Sequence, residues 1–499
     1  MAPLNAVKIL QICPVAPPDS PAQSSLPLTF FDATPSSLNS NTLSLTLHHF
    51  LPLAGTIVWP PTSAEPFIRI DANSALQLTI AESDADFHHL SGNNFRDSAE
   101  YHPLVPTLPV SEVEARVMAV QITLFSGTGF SIGITSHHAA LDSRAAALFV
   151  KAWASLCKLG GASLPPELTP FYGRADIGDP KGIKQRYLDG WEKSGGPNAN
   201  RSLTLIDEFN APSNTIRGTF MLRPDDIEKL RERVGQTLIE RKKKKQELPR
   251  LSTFVLTCAY VWVCLVKAEG LESKDGLAHT CFLFSADCRG RLEPPIPATY
   301  FGNCVGGGFA RVKVGDVAGE DGVAVAAEAI GEGVSSLNNG GLYEHLERLL
   351  SHGPFPDKSE KWITVAGSPQ FELYMADFGW GRARRIEVVS VDRTGAVALS
   401  ESGDGRSGGI EIGLALSEEK MEVFASLFVK EALAFFVLAG TFAFVSFDAF
   451  ADFAFVANVD FFLATSVTNG FTAGDQHQIS DGFTATSSSY VSFFRTLGA

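Results

Sequence analysis

The chain has 499 residues, 45% hydrophobic and 19% charged, a balance that excludes an intrinsically disordered protein and leaves room for two or three domains of ordinary size. Its net charge of −14 argues against the basic face that nucleic-acid phosphates require, so no nucleic-acid partner is expected, although a local cationic pocket for an anionic ligand stays compatible with it. The cysteines (Cys13, Cys157, Cys258, Cys264, Cys281, Cys288 and Cys304) are odd in number and show no zinc-site or CxxC spacing, which points to free thiols in a reducing compartment.

Met1-Ala2-Pro3-Leu4 carries no basic stretch leading into a long apolar core, so no signal peptide is read there and a cytoplasmic location is expected. Residues 5–16 alternate as an edge strand, and Pro14 to Pro27 is a Pro/Ser-rich loop. Leu43 to Leu53 has helical spacing and ends at Pro52-Leu53-Ala54-Gly55; Phe67 to Ile70 and Leu76 to Ile80 read as strands. The clearest block is a strand over Val117–Phe125, a turn at Ser126-Gly127-Thr128-Gly129, a returning strand over Phe130–Thr135, and an alanine-rich helix over Arg144–Cys157. Gly160 to Ser213 lacks periodicity and reads as a long crossover between two halves. The second half opens with a strand at Phe220–Leu222 and a helix over Pro224–Val234. A basic loop over Arg241–Lys245, a buried helix over Leu251–Leu265 and a strand over Thr280–Ala286 follow. Ile386–Val391, Ala396–Ser400 and Ile410–Leu416 read as a strand meander closed by a helix over Glu418–Val429.

Beyond Lys430 the composition shifts. Ala432 to Phe447 is apolar and uncharged, but Asp448 and Asp452 cut the run short of the roughly 20 apolar residues a membrane helix needs, so no membrane contact is expected. The expected organisation is an N-terminal domain over 1–175, a linker over 176–213, a C-terminal domain over 214–430 and an atypical, poorly ordered tail over 431–499. Gly403-Asp404-Gly405-Arg406-Ser407-Gly408 spells GxGxxG but lies between two strands, so it is a hairpin loop and not a dinucleotide site.

Two motifs carry chemistry. Ser136-His137-His138-Ala139-Ala140-Leu141-Asp142 places a histidine between a strand end and a helix start. A neutral imidazole can take a proton from an attacking hydroxyl near pH 7 and return it to a leaving thiolate. The bland reading is a pair of polar residues closing a strand. A metal reading is disfavoured, because adjacent histidines point apart and no HExxH helix is present. Asp142 reads equally as a helix N-cap or as an orienting partner of His138. The second motif is Asp377-Phe378-Gly379-Trp380-Gly381, whose Trp380 is either a packed aromatic between flexible hinges or an indole donor to an oxyanion. The absence of an HRD loop sets a kinase reading of Asp377-Phe378-Gly379 aside.

Together, in this order and separation, the two motifs resemble the plant BAHD acyltransferases, which move acyl groups from coenzyme A thioesters to hydroxyls or amines. Leu251-Ser252-Thr253-Phe254, Ala286-Asp287-Cys288-Arg289, Tyr300-Phe301-Gly302-Asn303-Cys304 and Val391-Asp392-Arg393-Thr394-Gly395 extend the resemblance over Ala2 to Val429. It implies an α/β fold of two chloramphenicol-acetyltransferase-like domains. Each pairs a mixed β-sheet with flanking helices, with a channel between them and a segment near Asp377 crossing back to the first domain. It also implies that Asp142 pairs with Arg289 and shapes the loop, that His138 is the base, and that Asp377, Gly379 and Gly381 build a channel floor away from the reacting centre. Ser252 and Thr253 are implied in acyl or CoA binding.

Pro27–Asp32, Lys151–Ala154 and Tyr300–Cys304 look like the anthocyanin and phenolic-glucoside malonyltransferases. That resemblance implies malonyl-CoA as co-substrate, a phenolic or flavonoid glucoside as acceptor, no bound cofactor, no metal, and a monomer. A malonyl carboxylate asks for a forked cation, for which Arg144 is the nearest candidate. The 3′-phosphate of CoA is a candidate ligand for Arg241–Lys245. A hydroxycinnamoyl donor, an amine acceptor, or a non-catalytic binding relative are the alternatives. The sequence departs from the family pattern at Ser143, where glycine usually follows the aspartate. It also lacks the aromatic-rich segment expected after Asp32, and its tail beyond Lys430 has no family counterpart.

Overall fold

The computed structural model describes residues 7–18, 37–63, 65–161, 163–179, 181–186, 189, 203, 214–241, 249–271, 278–338, 343, 360–405, 407–437, 461–465 and 488–496. The Pro27–Asp32 segment, Lys242–Lys245, much of the crossover and most of the tail lie outside the described residues.

The first half contributes β1 (Val7–Val15), α1 (Ser37–His49), β2 (Thr56–Val58), β3 (Phe67–Arg69), β4 (Leu76–Ser83), β5 (Arg96–Asp97), β6 (Glu114–Arg116), β7 (Met118–Phe125), β8 (Gly129–His137) and α2 (Ser143–Lys158). The second contributes β9 (Thr215–Leu222), α3 (Pro224–Arg241), α4 (Thr253–Ala268), β10 (His279–Asp287), β11 (Val305–Lys313), α5 (Gly322–Ser335), β12 (Glu360–Gly367), β13 (Ile386–Val388), β14 (Val397–Glu401), β15 (Ile410–Ser417), α6 (Glu418–Val437), β16 (Phe461–Thr465) and β17 (Ser488–Thr496).

Among the described residues, one seven-stranded mixed sheet runs β1-β4-β7-β8-β17-β13, with β16 on β17, and a second runs β11-β10-β12-β14-β15-β9-β5. A small three-stranded sheet, β3-β2-β6, accompanies them. β7 is a near-continuous apolar run and β8 alternates, yet every residue of β8 is buried, as in strands covered on both faces. β7 and β8 pair antiparallel in register from Met118↔Ser136 to Phe125↔Gly129. On this sheet packs α2, whose Phe149 and Trp153 are fully buried. Truncating either to alanine would cost about 3–5 kcal/mol. The second core is organised around α4, which is buried along almost its whole length between α5, α6 and the second sheet.

The expected meander over Ile386–Leu416 is not what forms. β14 and β15 pair antiparallel, but β13 joins the first sheet through β17. The side chains of Leu373, Tyr374, Ala376, Phe378, Ala383 and Ile386 enter the first core. In return, β5 pairs with β9 and so extends the second sheet with residues from the first half. Two segments therefore cross the boundary that composition suggests. Within 431–499, the described residues are the end of α6, β16 and β17, and β17 lies antiparallel to β8 with Ser488 opposite His137. Among the described residues no helix is long and apolar enough to cross a membrane.

A buried charge network sits where the halves exchange. Glu387 of β13 meets Arg217 of β9 at 3.1 Å and Arg96 of β5 at 3.4 Å, with Arg385 alongside at 4.0 Å. Arg217 also donates to the carbonyls of Val388 and Val389. Both Arg96 and Arg217 lie over the ring of Tyr101, at 5.8 and 5.3 Å. Burial alone would raise the Glu387 pKa; the three guanidiniums outweigh it and hold the carboxyl below its ordinary value. Removing one member leaves uncompensated charge in a dry site. Glu387→Ala should therefore lower stability by roughly 3–5 kcal/mol, read as a shift of the urea midpoint. A midpoint within error of the parent would show that the network does not hold the halves together.

Candidate active site

The last residue of β8 is His137, and the chain turns immediately. His137 is buried: its Nδ1 accepts from the Ala139 N–H at 3.2 Å, and its Nε2 lies 3.3 Å from the Leu203 carbonyl oxygen. This fixes the tautomer, with hydrogen on Nε2, and the imidazole serves the turn. His138 is the first residue of that turn.

His138 is closely surrounded by protein yet keeps a partial opening to solvent. Its carbonyl accepts from Asn303 Nδ2 at 2.6 Å. Burial lowers the imidazole pKa; its own backbone, the Asp142 charge and Asn303 oppose this without cancelling it. The ring is therefore neutral at pH 7, the state a general base needs.

Asp142 is nearly inaccessible, and each carboxylate oxygen is engaged. Oδ1 caps α2 by accepting from Ala145 N–H at 2.9 Å, and Oδ2 accepts from Cys304 N–H at 2.9 Å. Arg289 Nη2 lies 2.9 Å from Oδ2 and 3.0 Å from Oδ1. The same guanidinium donates to the carbonyls of Tyr300 and Gly302 and to Asp287. Asp142 thus ties three elements together: the helix start, the buried arginine and the 300–304 loop that carries Asn303. It has no lone pair directed at the His138 ring among these contacts.

Arg144, in the first turn of α2, pairs with Asp287 at 3.2 Å and donates to the Ala298 carbonyl at 3.3 Å. A carboxylate already neutralises it, which makes it a poor receptor for a second one. Ser252 caps α4, accepting from Val255 N–H at 3.3 Å, with Thr253 next to it as the first helical residue.

The second motif lies at the other end of the domain. Asp377 accepts from the N–H groups of Gly379 and Gly381 at 2.9 and 2.8 Å and pairs with Lys158 at 2.8 Å. Burial raises its pKa, but Lys158 and the two N–H groups prevail and lower it. Gly379 and Gly381 have φ of 99° and 100°, a region open to glycine, which lets the chain fold round the carboxylate. Trp380 packs edge-on against Phe130 at 5.7 Å.

Two independent rulers give the separation. Lys158 ends the 16-residue α2, a span of about 24 Å from the Asp142 cap. Phe130 stands near the start of β8, about 25 Å of extended strand from His138. The indole of Trp380 is therefore out of reach of the reacting atoms, which corrects its reading as an oxyanion donor. Asp377, Gly379, Trp380 and Gly381 brace the first core instead. Asn303 and the Cys304 N–H were not singled out from sequence, although the Tyr300–Cys304 segment that supplies them was the available signal. Among the described residues no cluster of His, Cys, Asp and Glu is arranged to hold a metal ion.

Replacing Asp142 by alanine removes a helix cap, worth about 1 kcal/mol, and strands a buried guanidinium, worth roughly 3–5 kcal/mol. Asp142→Ala should therefore lose thermal stability together with catalytic rate. An unchanged melting temperature would show that the Arg289 clamp is dispensable.

The chain can be set beside known proteins on this geometry. A family model described as the transferase family matches residues 25–430. A malonyl-CoA:anthocyanidin 5-O-glucoside-6''-O-malonyltransferase of Arabidopsis thaliana is 41% identical over 85% of this chain and 98% of its own length. Phenolic glucoside malonyltransferase 2 of the same plant is 40% identical over 78% of this chain and 84% of its own. The crystal structure of vinorine synthase superposes with a TM-score of 0.57 at 18% identity, covering 85% of this chain and 98% of that one, a likeness of fold: the chloramphenicol-acetyltransferase-like pair of α/β domains. With the family model matched over most of its length and such relatives at this identity, the chain belongs to the BAHD acyltransferases, enzymes that draw acyl groups from CoA thioesters.

Proposed function

We propose that this acyltransferase moves the malonyl group of malonyl-CoA to a sugar hydroxyl of a phenolic or flavonoid glucoside, with His138 as general base. The observation that carries the mechanism is the neutral imidazole of His138, on a half-buried residue whose carbonyl Asn303 holds at a strand–helix turn. The donor and acceptor follow from the two malonyltransferases that this chain resembles.

His138 takes the hydroxyl proton as the oxygen attacks the thioester carbonyl. The tetrahedral adduct collapses, the C–S bond breaks, and the proton passes from the imidazolium to the CoA thiolate. Holding both substrates together supplies much of the acceleration, so no acyl-enzyme is needed. Asp142 keeps the loop in shape through Arg289, and Asn303 fixes the carbonyl of the base. The acyltransferase takes a small-molecule donor and acceptor, works as a monomer in the cytoplasm, and carries no bound cofactor.

His138→Ala should leave the melting temperature near that of the parent and lower kcat by about 100- to 10,000-fold, the range for a lost general base. Because burial holds the His138 pKa below the ordinary 6.5, kcat/KM should fall with acid only below about pH 6.5, as the base becomes protonated. A full-rate, stable His138→Ala enzyme would end the mechanism. Labelled malonyl-CoA offered with a panel of phenolic glucosides tests the substrates. Preference for hydroxycinnamoyl-CoA would overturn the donor assignment, and a folded protein without turnover would favour a binding role.

A further inference from the structure

We propose that Arg174 is the donor-specificity residue of this enzyme, its guanidinium receiving the free carboxylate of the acyl group. The inference rests on the malonyl-CoA reading above and assigns the cation that such a donor requires.

Four arginines surround the 287–304 region, and three are already engaged. Arg289 is closed by Asp142, Asp287 and two carbonyls. Arg144 is held by Asp287 and the Ala298 carbonyl. Arg291 donates to the Asp287 carbonyl and lies 3.3 Å from Asn338 Oδ1. Arg174 differs: among the described residues its guanidinium has one hydrogen-bond partner, the Tyr300 phenol oxygen at 3.5 Å, and no carboxylate pairs with it. A phenol at that distance neither neutralises the guanidinium nor occupies its fork.

Its location is fixed by backbone. Phe171 N–H donates to Thr299 O at 2.9 Å, and Phe301 N–H donates to Phe171 O at 2.8 Å, so the segment leading to Arg174 is laced onto the Thr299–Phe301 stretch. Arg174 N–H donates to Tyr172 O at 2.7 Å, closing the turn that aims the side chain. The guanidinium then lies over Gly302: a Cβ there would stand 3.1 Å from Arg174 Nη1 and 3.0 Å from the Tyr300 hydroxyl. The next residue is Asn303, bonded to the His138 carbonyl at 2.6 Å. A free forked cation is therefore built onto the loop that holds the base. The carboxylate of a malonyl thioester is only two bonds beyond the carbonyl that the base-activated hydroxyl attacks, and a planar guanidinium matches it bidentately.

The test compares malonyl-CoA with acetyl-CoA, which shares every CoA phosphate but lacks the carboxylate, against one glucoside acceptor. Arg174→Ala should lower kcat/KM for malonyl-CoA by about 10- to 100-fold, the range of a lost charge-assisted hydrogen-bonding partner. It should leave acetyl-CoA within about threefold and the melting temperature unchanged, and Arg174→Lys should recover part of the malonyl preference. Parallel loss with both donors would assign Arg174 to a CoA phosphate or to the loop fold and overturn the proposal. A wild-type enzyme that prefers malonyl-CoA while Arg174→Ala keeps that preference overturns the Arg174 assignment alone. A wild type indifferent to malonyl-CoA overturns both this inference and the reading it rests on.

Discussion

A guanidinium withdrawn from water must find partners for its N–H groups, and that demand organises the site. Arg289 meets it by gathering Asp142, Asp287 and the carbonyls of Tyr300 and Gly302 around one planar fork. One of those partners, Asp142, comes from 147 residues away in sequence, so the ion pair acts less as a source of net stability than as a specification of geometry. With Asp142 held this way, the start of α2 and the 300–304 loop close on each other, and Asn303 arrives at the carbonyl of His138. The base itself needs only burial and a fixed turn to stay neutral.

The same logic operates at the exchange of segments between halves. Glu387 holds three arginines, from β5, from β9 and from the residue just before its own strand, and the halves share this cluster as they share the crossing chain. His102, from the first half, pairs with the buried Asp392 beside it. Both clusters place formal charge where apolar packing alone would tolerate several arrangements, which lets position be set by hydrogen-bond direction.

Much of this was legible before any coordinates. The strand–turn–strand–helix block around the histidines shows in the alternation, the Ser126–Gly129 turn and the cap at Asp142, all local signals. β11 was not, because Gly306-Gly307-Gly308 erases its apolar alternation. β13 belongs to a different sheet from β14 and β15: three short strands in a row look like a meander unless the pairing of β13 with β17, over residues 488–496, is known. Site residues followed the same division. His138 is marked by its place between elements, whereas the contact from Cys304 N–H to Asp142 spans 162 residues and has no local signature. Trp380 shows the opposite error, a chemically apt side chain whose distance from the base only the lengths of α2 and β8 reveal.

The reciprocal crossing of chain also bears on how the molecule is born. A ribosome releases the first half long before residues 373–386 exist, yet those residues complete its core. The nascent first half must wait with an unfilled apolar gap, a state prone to aggregation and a natural client for chaperones. For the same reason, parting the finished enzyme along its midline would break the β5–β9 pairing and draw residues 373–386 out of the first core.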